Sequence, residues 1–137
     1  MLSLTRNIGG RILIANNYMV RFDGHDMTNG GTKIALLVPK TTAIGVYQSE
    51  QDRRPTAPSA ALREPFQNAA DYIVQPVSLA QNNLVVMQTP YEGLIGIKAS
   101  MKSPRANQGK IVIEADKEVK IVREELYEGP KLPVMGG

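Results

Sequence analysis

The stretch MLSLTRNIGG, residues 1–10, decides how this chain is read. Leu2 and Leu4 alternate with Ser3 and Thr5, and Arg6 follows before any turn signal. A period of two gives a strand with one apolar face and one polar face. Terminal residues are ordered only when something ties them down. A strand this close to the first residue needs a partner from elsewhere in the chain.

Working outward, Gly9-Gly10 marks a turn before Arg11–Ala15 (RILIA), and Asn16-Asn17 marks a tight turn before Tyr18–Phe22 (YMVRF). Asp23–Gly31 (DGHDMTNGG) reads as a long polar loop. Lys33–Val38 (KIALLV) and Thr42–Tyr47 (TAIGVY) complete a first set of short strands. The stretch Ser49–Ala70 differs in character, with Pro55 and Pro58 breaking regular structure. Ser59 is placed to cap a short helix over Ala60–Arg63 before Pro65. Strands then return at Tyr72–Ser78, Leu84–Gln88, Leu94–Met101, Lys110–Ala115 and Val119–Val122, with Lys102–Gly109 (KSPRANQG) as a second polar loop. Residues 123–128 (REELYE) predict a short C-terminal helix ended by Gly129-Pro130. The tail KLPVMGG reads as an extended arm. The expected class is mainly all-β.

Composition narrows the chemistry. The chain has 137 residues, 42% of them apolar, with two Phe and no Trp, so its core must come from Ile, Val, Leu and Met. No Cys is present, which removes disulfides, thiolate metal sites and thiol catalysis. The one histidine, His25, lies in the polar loop and reads as a solvated turn residue. Glu124-Glu125 are adjacent carboxylates, expected to be solvated rather than catalytic, and no phosphate-binding glycine loop occurs. No enzyme activity, cofactor or metal is expected. No apolar run has the length of a membrane span and no signal-peptide core precedes the first strand, so the expected location is the cytoplasm. A net charge of +3 is compatible with a polyanionic partner without requiring one.

The two sets of strands repeat the same order of parts. Lys33–Val46 (KIALLVPKTTAIGV) echoes Lys110–Arg123 (KIVIEADKEVKIVR): Lys-Ile opens each, and Lys40 and Lys117 hold the same position. An internal duplication follows, with unit one at 1–48, a linker at 49–71, unit two at 72–129 and a tail at 130–137.

With these residues in view, the chain resembles the carbon storage regulator family. MLSLTR followed by glycine and an ILI-type strand is similar to that family's start, and ADKEVKIVREELYEG (115–129) to its end. Members are less than half this length, and duplication accounts for the difference. The resemblance implies homodimers with interleaved strands, the first strand of one unit lying beside the last strand of the other, and RNA bound along that seam. In a tandem fusion both units belong to one chain, an intramolecular pseudo-dimer expected to be monomeric. The competing arrangement treats 49–100 as an insertion into a single unit and needs two chains.

The resemblance also implies which residues bind. Leu4, Thr5 and Arg6 match the family's first-strand motif, and Lys117, Glu118, Val122, Arg123 and Glu124 match the end. Asn7, Ser3, Asp116 and Val122 depart from it. The second seam is expected to be degenerate, with Val46 in place of the arginine and Gln75 and Pro76 in place of the first-strand motif. The alternative first strand, Leu84–Gln88, offers only Met87 and Gln88. The implied ligand is a GGA-containing hairpin loop in an mRNA leader, whose splayed bases expose edges that a paired helix conceals. Arg123 would supply a planar charged fork, Thr5 a hydroxyl, Leu4 an apolar surface, and Arg6 and Lys117 phosphate neutralisation. A protein antagonist is a further implied partner. The alternative function is a protein-interaction or structural module that kept this fold and lost RNA.

Overall fold

Among the described residues of the computed structural model ten strands form, and each answers to a strand predicted from the sequence. They are β1 (Leu2–Asn7), β2 (Arg11–Ile14), β3 (Tyr18–Asp26), β4 (Gly31–Pro39), β5 (Ala43–Tyr47), β6 (Tyr72–Leu79), β7 (Leu84–Gln88), β8 (Leu94–Ser103), β9 (Gln108–Glu114) and β10 (Ile121–Arg123). The structure describes residues 2–15, 18–26, 31–39, 42–47, 72–80, 83–89, 93–103 and 108–127. The expected linker, with its helix at Ala60–Arg63, and the tail lie outside these residues.

The strands build two antiparallel five-stranded sheets, in the orders β1-β9-β8-β7-β5 and β10-β2-β3-β4-β6. Each sheet takes its three middle strands from one half of the chain and its two outer strands from the other. The inner faces pack on a shared core of Ile12, Ile14, Tyr18, Val20 and Phe22 from one sheet and Val85, Met87, Ile95, Ile97, Ile111 and Ile113 from the other. Aliphatic side chains fill this core, and Met19 and Met87 are fully buried in keeping with their role as gap fillers. The sheet holding β2, β3 and β4 is also apolar on its far face, where Leu13, Met19, Ala35 and Leu37 cluster against Tyr72, Val74 and Tyr127. That explains the nearly unbroken apolar run of β4, since a strand buried on both faces loses its alternation.

The partner of β1 differs from the expected one. β1 pairs with β9, from Leu2 opposite Ile113 to Asn7 opposite Gln108, while β10 pairs with β2. The reason is length and phase. β1 has six residues whose backbone groups need partners, and β10 offers three. β9 offers seven, and Leu4 opposite Ile111 sends both apolar side chains into the core.

Both predicted polar loops are shorter than their composition suggests. β3 runs on through Asp23, Gly24, His25 and Asp26, past a bulge between Phe22 and Gly24, to pair with β4. Ladder bonds are made by the backbone, so polar side chains do not end the strand. Asp26 is buried, and Ser78 donates a hydrogen bond to its carboxylate from β6. His25 is exposed as expected, but on a strand rather than in a turn. In the second half, β8 extends to Ser103 and β9 begins at Gln108.

The predicted C-terminal helix is reduced to one 3-10 turn, Glu124–Leu126. Its N-cap is Arg123, which makes no side-chain capping bond, and Tyr127 is already extended with φ −74° and ψ 126°. Without a cap or a basic last turn, three residues do not propagate into an α-helix.

Candidate nucleic-acid interface

β1 and β10 are outer strands of opposite sheets, and at one end of the sandwich an ion pair joins β1 to the turn that follows β10. Arg6 Nη1 donates to Glu125 Oε1 at 2.9 Å and Nη2 donates to Oε2 at 3.1 Å. This two-pronged geometry ties the first strand to the 3-10 turn after β10. Gly10 makes room for it: a Cβ there would lie 2.8 Å from Arg6 Nε. The Gly10 N–H donates to the Asn7 carbonyl at 2.8 Å, closing the turn that holds Gly10 against Arg6.

A second pair stands beside the first. Arg11 on β2 and Arg21 on β3 face each other across the strand pair, which alone would be repulsive. Arg11 is joined by Glu124, and Arg21 Nε donates to Asp23 Oδ1 at 2.6 Å. Burial and the nearby Arg21 charge pull the Arg11 guanidinium below its ordinary value, while the hydrogen bond that Arg21 donates to Asp23 raises its own. Glu124 and Glu125 are thus committed to arginines rather than simply solvated. Nothing local in the sequence announces this, because the members of the Arg6–Glu125 pair are 119 residues apart.

The hydrogen bonds from Arg6 hold the Glu125 carboxyl below the usual carboxylate range. A carboxyl depressed in the folded state contributes stability above its unfolded value, lost as pH falls through its folded value. The pair is therefore expected to persist below the ordinary glutamate value of 4.5. A carboxyl-carbon NMR titration should give Glu125 a midpoint below that value, and R6Q should raise it toward the ordinary range. An unchanged midpoint in R6Q would remove the pair as the cause.

The other residues expected at the site divide by exposure. Leu4 is 8% exposed and belongs to the core, so it is not the apolar surface the resemblance implied. Thr5 is half-buried opposite Lys110, and Val122 is half-buried on β10. Lys117 and Glu118 are exposed in the β9–β10 turn, which the Val119 N–H closes by donating to the Asp116 carbonyl at 2.9 Å. Arg123 is exposed, and Lys110 and Lys120 add exposed cations. A cleft of about 270 Å³ opens between β1 and this turn, lined by Leu2, Ile113, Ala115, Val119 and Ile121 with Asp116 and Lys117. The cleft thus sets aliphatic side chains beside one ammonium and one carboxylate.

The two ends of the sandwich can be matched position by position. Thr5 faces Lys110 across β1–β9 as Ser78 faces Lys33 across β4–β6. Leu4, Thr5 and Arg6 thus correspond to Val77, Ser78 and Leu79, and not to Gln75 and Pro76 as the strand pattern suggested. Arg123 faces Ile12 as Val46 faces Val85, so Arg11 corresponds to Leu84 and Glu124 to Tyr47. The charged positions at the first end, Arg6, Arg11, Arg123 and Glu124, carry no ionised residue at the second. Comparisons with family models, with curated proteins and with solved structures find no match for this chain.

Proposed function

We propose that this chain is an RNA-binding regulator of translation of the carbon storage regulator type, taking one GGA-bearing hairpin loop at its β1–β10 end. The observation that supports this reading is the Arg6–Glu125 pair, which joins the two stretches carrying the resemblance. The exchange of outer strands between halves supports the tandem form, the intramolecular counterpart of an interleaved homodimer. Ten strands of one chain complete both sheets, which favours a monomer over an insertion that needs two chains.

In this reading Arg123 is the recognition residue. Its guanidinium stands exposed at the start of a turn that Arg6 and Arg11 anchor through Glu125 and Glu124. Arg6 then acts as a positioning residue rather than a phosphate neutraliser. Lys117 and Lys120 neutralise phosphate, and the backbone of the two edge strands reads unpaired bases.

Titration of the full chain with a single GGA hairpin is expected to saturate at one RNA per chain, with affinity lost when GGA is changed to CCA. Two equivalent sites per chain, or indifference to that change, would overturn the reading. A second reading, a protein-binding module without RNA, draws on the neutralisation of Arg6 and Arg11 by acidic partners. It requires that no salt-sensitive RNA binding be found.

A further inference from the structure

The 3-10 turn Glu124–Leu126 follows Arg123 directly, yet it buries no residue of its own. Its two ion pairs are partly solvated, with the side chain of Glu125 54% exposed and that of Glu124 32% exposed. Ion pairs open to water contribute little to holding a segment in place. Leu126 is no anchor either, since it is 67% exposed. What fixes the turn has to come from a residue beside it.

Tyr127, the next residue, is half-buried and packs on the far face of the β2–β3–β4 sheet, against the cluster of Leu13, Met19, Ala35 and Leu37. Its backbone N–H donates to the Glu124 carbonyl at 3.1 Å, which joins the packed residue to the start of the turn. Leu13 of that cluster faces Val122 across β2–β10, one residue before Arg123. The Tyr127 hydroxyl is buried and finds no hydrogen-bond partner among the described residues. A buried hydroxyl without a partner opposes burial, so the ring is held there by its apolar area.

We propose that Tyr127 is a positioning residue, an aromatic anchor on the back of the sheet that fixes the turn and so aims Arg123. The link to RNA rests on the reading given above, whereas the placing of the turn does not. Arg123 is the N-cap residue of the turn and Tyr127 its C-cap, so the recognition side chain and the anchor hold the same three residues from opposite ends. With the C-terminal end seated, Glu124 and Glu125 are presented to Arg11 and Arg6, and pairs too exposed to order the turn alone can form. Salt that screens the ion pairs leaves this anchor in place, because burial of a ring involves no charge.

The test uses the full chain and begins with the wild type, where nuclear Overhauser contacts from the Tyr127 ring to methyl groups of Leu13, Met19, Ala35 or Leu37 are expected. In Y127A the Glu125 carboxyl, held down mainly by the hydrogen bonds from Arg6 and less by the Arg123 charge, should titrate closer to the ordinary glutamate value. Y127F keeps the ring and should match the wild type in that midpoint, with an equal or higher urea midpoint. V74A trims the same cluster from β6, at the opposite edge of the sheet, and should leave Glu125 unchanged. With a GGA hairpin Y127A should bind at least about fivefold more weakly, but no more weakly than R123A. In the R123A background Y127A should change RNA binding no further, since it acts through that arginine. Absent ring contacts, an unmoved Glu125 midpoint in Y127A, or Y127F behaving as Y127A would overturn the proposal. So would additive losses in Y127A/R123A, which mark a general loosening of the fold. A wild type indifferent to GGA would sink the RNA reading alone, and the ring contacts and the Glu125 midpoint would still decide the anchor.

Discussion

Replacing Gly109 with alanine is expected to cost about 3 kcal/mol, at the upper end of what overpacking does to a core. A Cβ at this position on β9 would lie 2.2 Å from Phe22 Cε1, 2.5 Å from Cζ and 2.8 Å from Cδ1. Phe22 is fully buried on β3, in the facing sheet, so its ring has no solvent to move into. One sheet must shift away from the other or the ring must leave its rotamer. Phe22→Ala is expected to cost about 3–5 kcal/mol by the reverse route, leaving a cavity. The two changes share one space, so G109A/F22A should be more stable than the sum of its parts predicts by at least about 1 kcal/mol. Urea midpoints of the three variants decide this, and strict additivity would mean that the ring and the glycine are not in contact. Total stabilities of about 5–15 kcal/mol are usual, so G109A alone would remove a large share.

Arg123→Ala is the change with the largest expected effect on the proposed RNA binding. Loss of the proposed two-pronged contact to a guanine edge is expected to weaken binding about 5–150-fold, or about 1–3 kcal/mol. Arg123 is exposed, so folding stability should change by less than about 0.5 kcal/mol. R123K should recover little, because an ammonium cannot form the planar fork. K117A should behave differently, weakening all sequences alike and lowering the salt slope by about one unit. R123A with unchanged affinity and selectivity would remove the proposed recognition residue, whatever the stoichiometry.

Much of the fold was legible because strand alternation is a local signal. All ten strands were placed, and Leu84–Gln88 was placed to the residue, since apolar runs bounded by turn residues mark their own limits. The limits of β3 and β8 were not legible. Asp23–Asp26 and Lys102-Ser103 look like loops in composition, yet their backbones continue the ladder around bulges. Pairing was the harder matter. Whether Leu2–Asn7 lies against KIVIE or VKIVR is settled by how many backbone groups each can satisfy, and no residue type encodes that.

The site was legible in part for the same reason. Arg6 and Arg123 stood out through the resemblance at the two ends of the chain. Glu124 stood out too, but as a binding residue rather than as the partner of Arg11, and Glu125 did not, because an acidic pair beginning a helix announces no arginine 119 residues away. Leu4 was legible as apolar, but its burial in the core rather than at the surface follows from its pairing with Ile111.

The exchange of outer strands has a consequence for how the molecule is made. A ribosome that has released residues 1–47 has delivered β2, β3 and β4, yet the strands that close their two edges, β6 and β10, do not exist. β1 meanwhile waits for β9. At about 5–20 residues per second this lasts several seconds, during which bare sheet edges can pair with other chains. Contacts so distant in sequence also raise the loop-closure cost of the folding nucleus and slow its formation. Neither half carries all the strands of a sheet, so both sheets are complete only when the last strand has emerged.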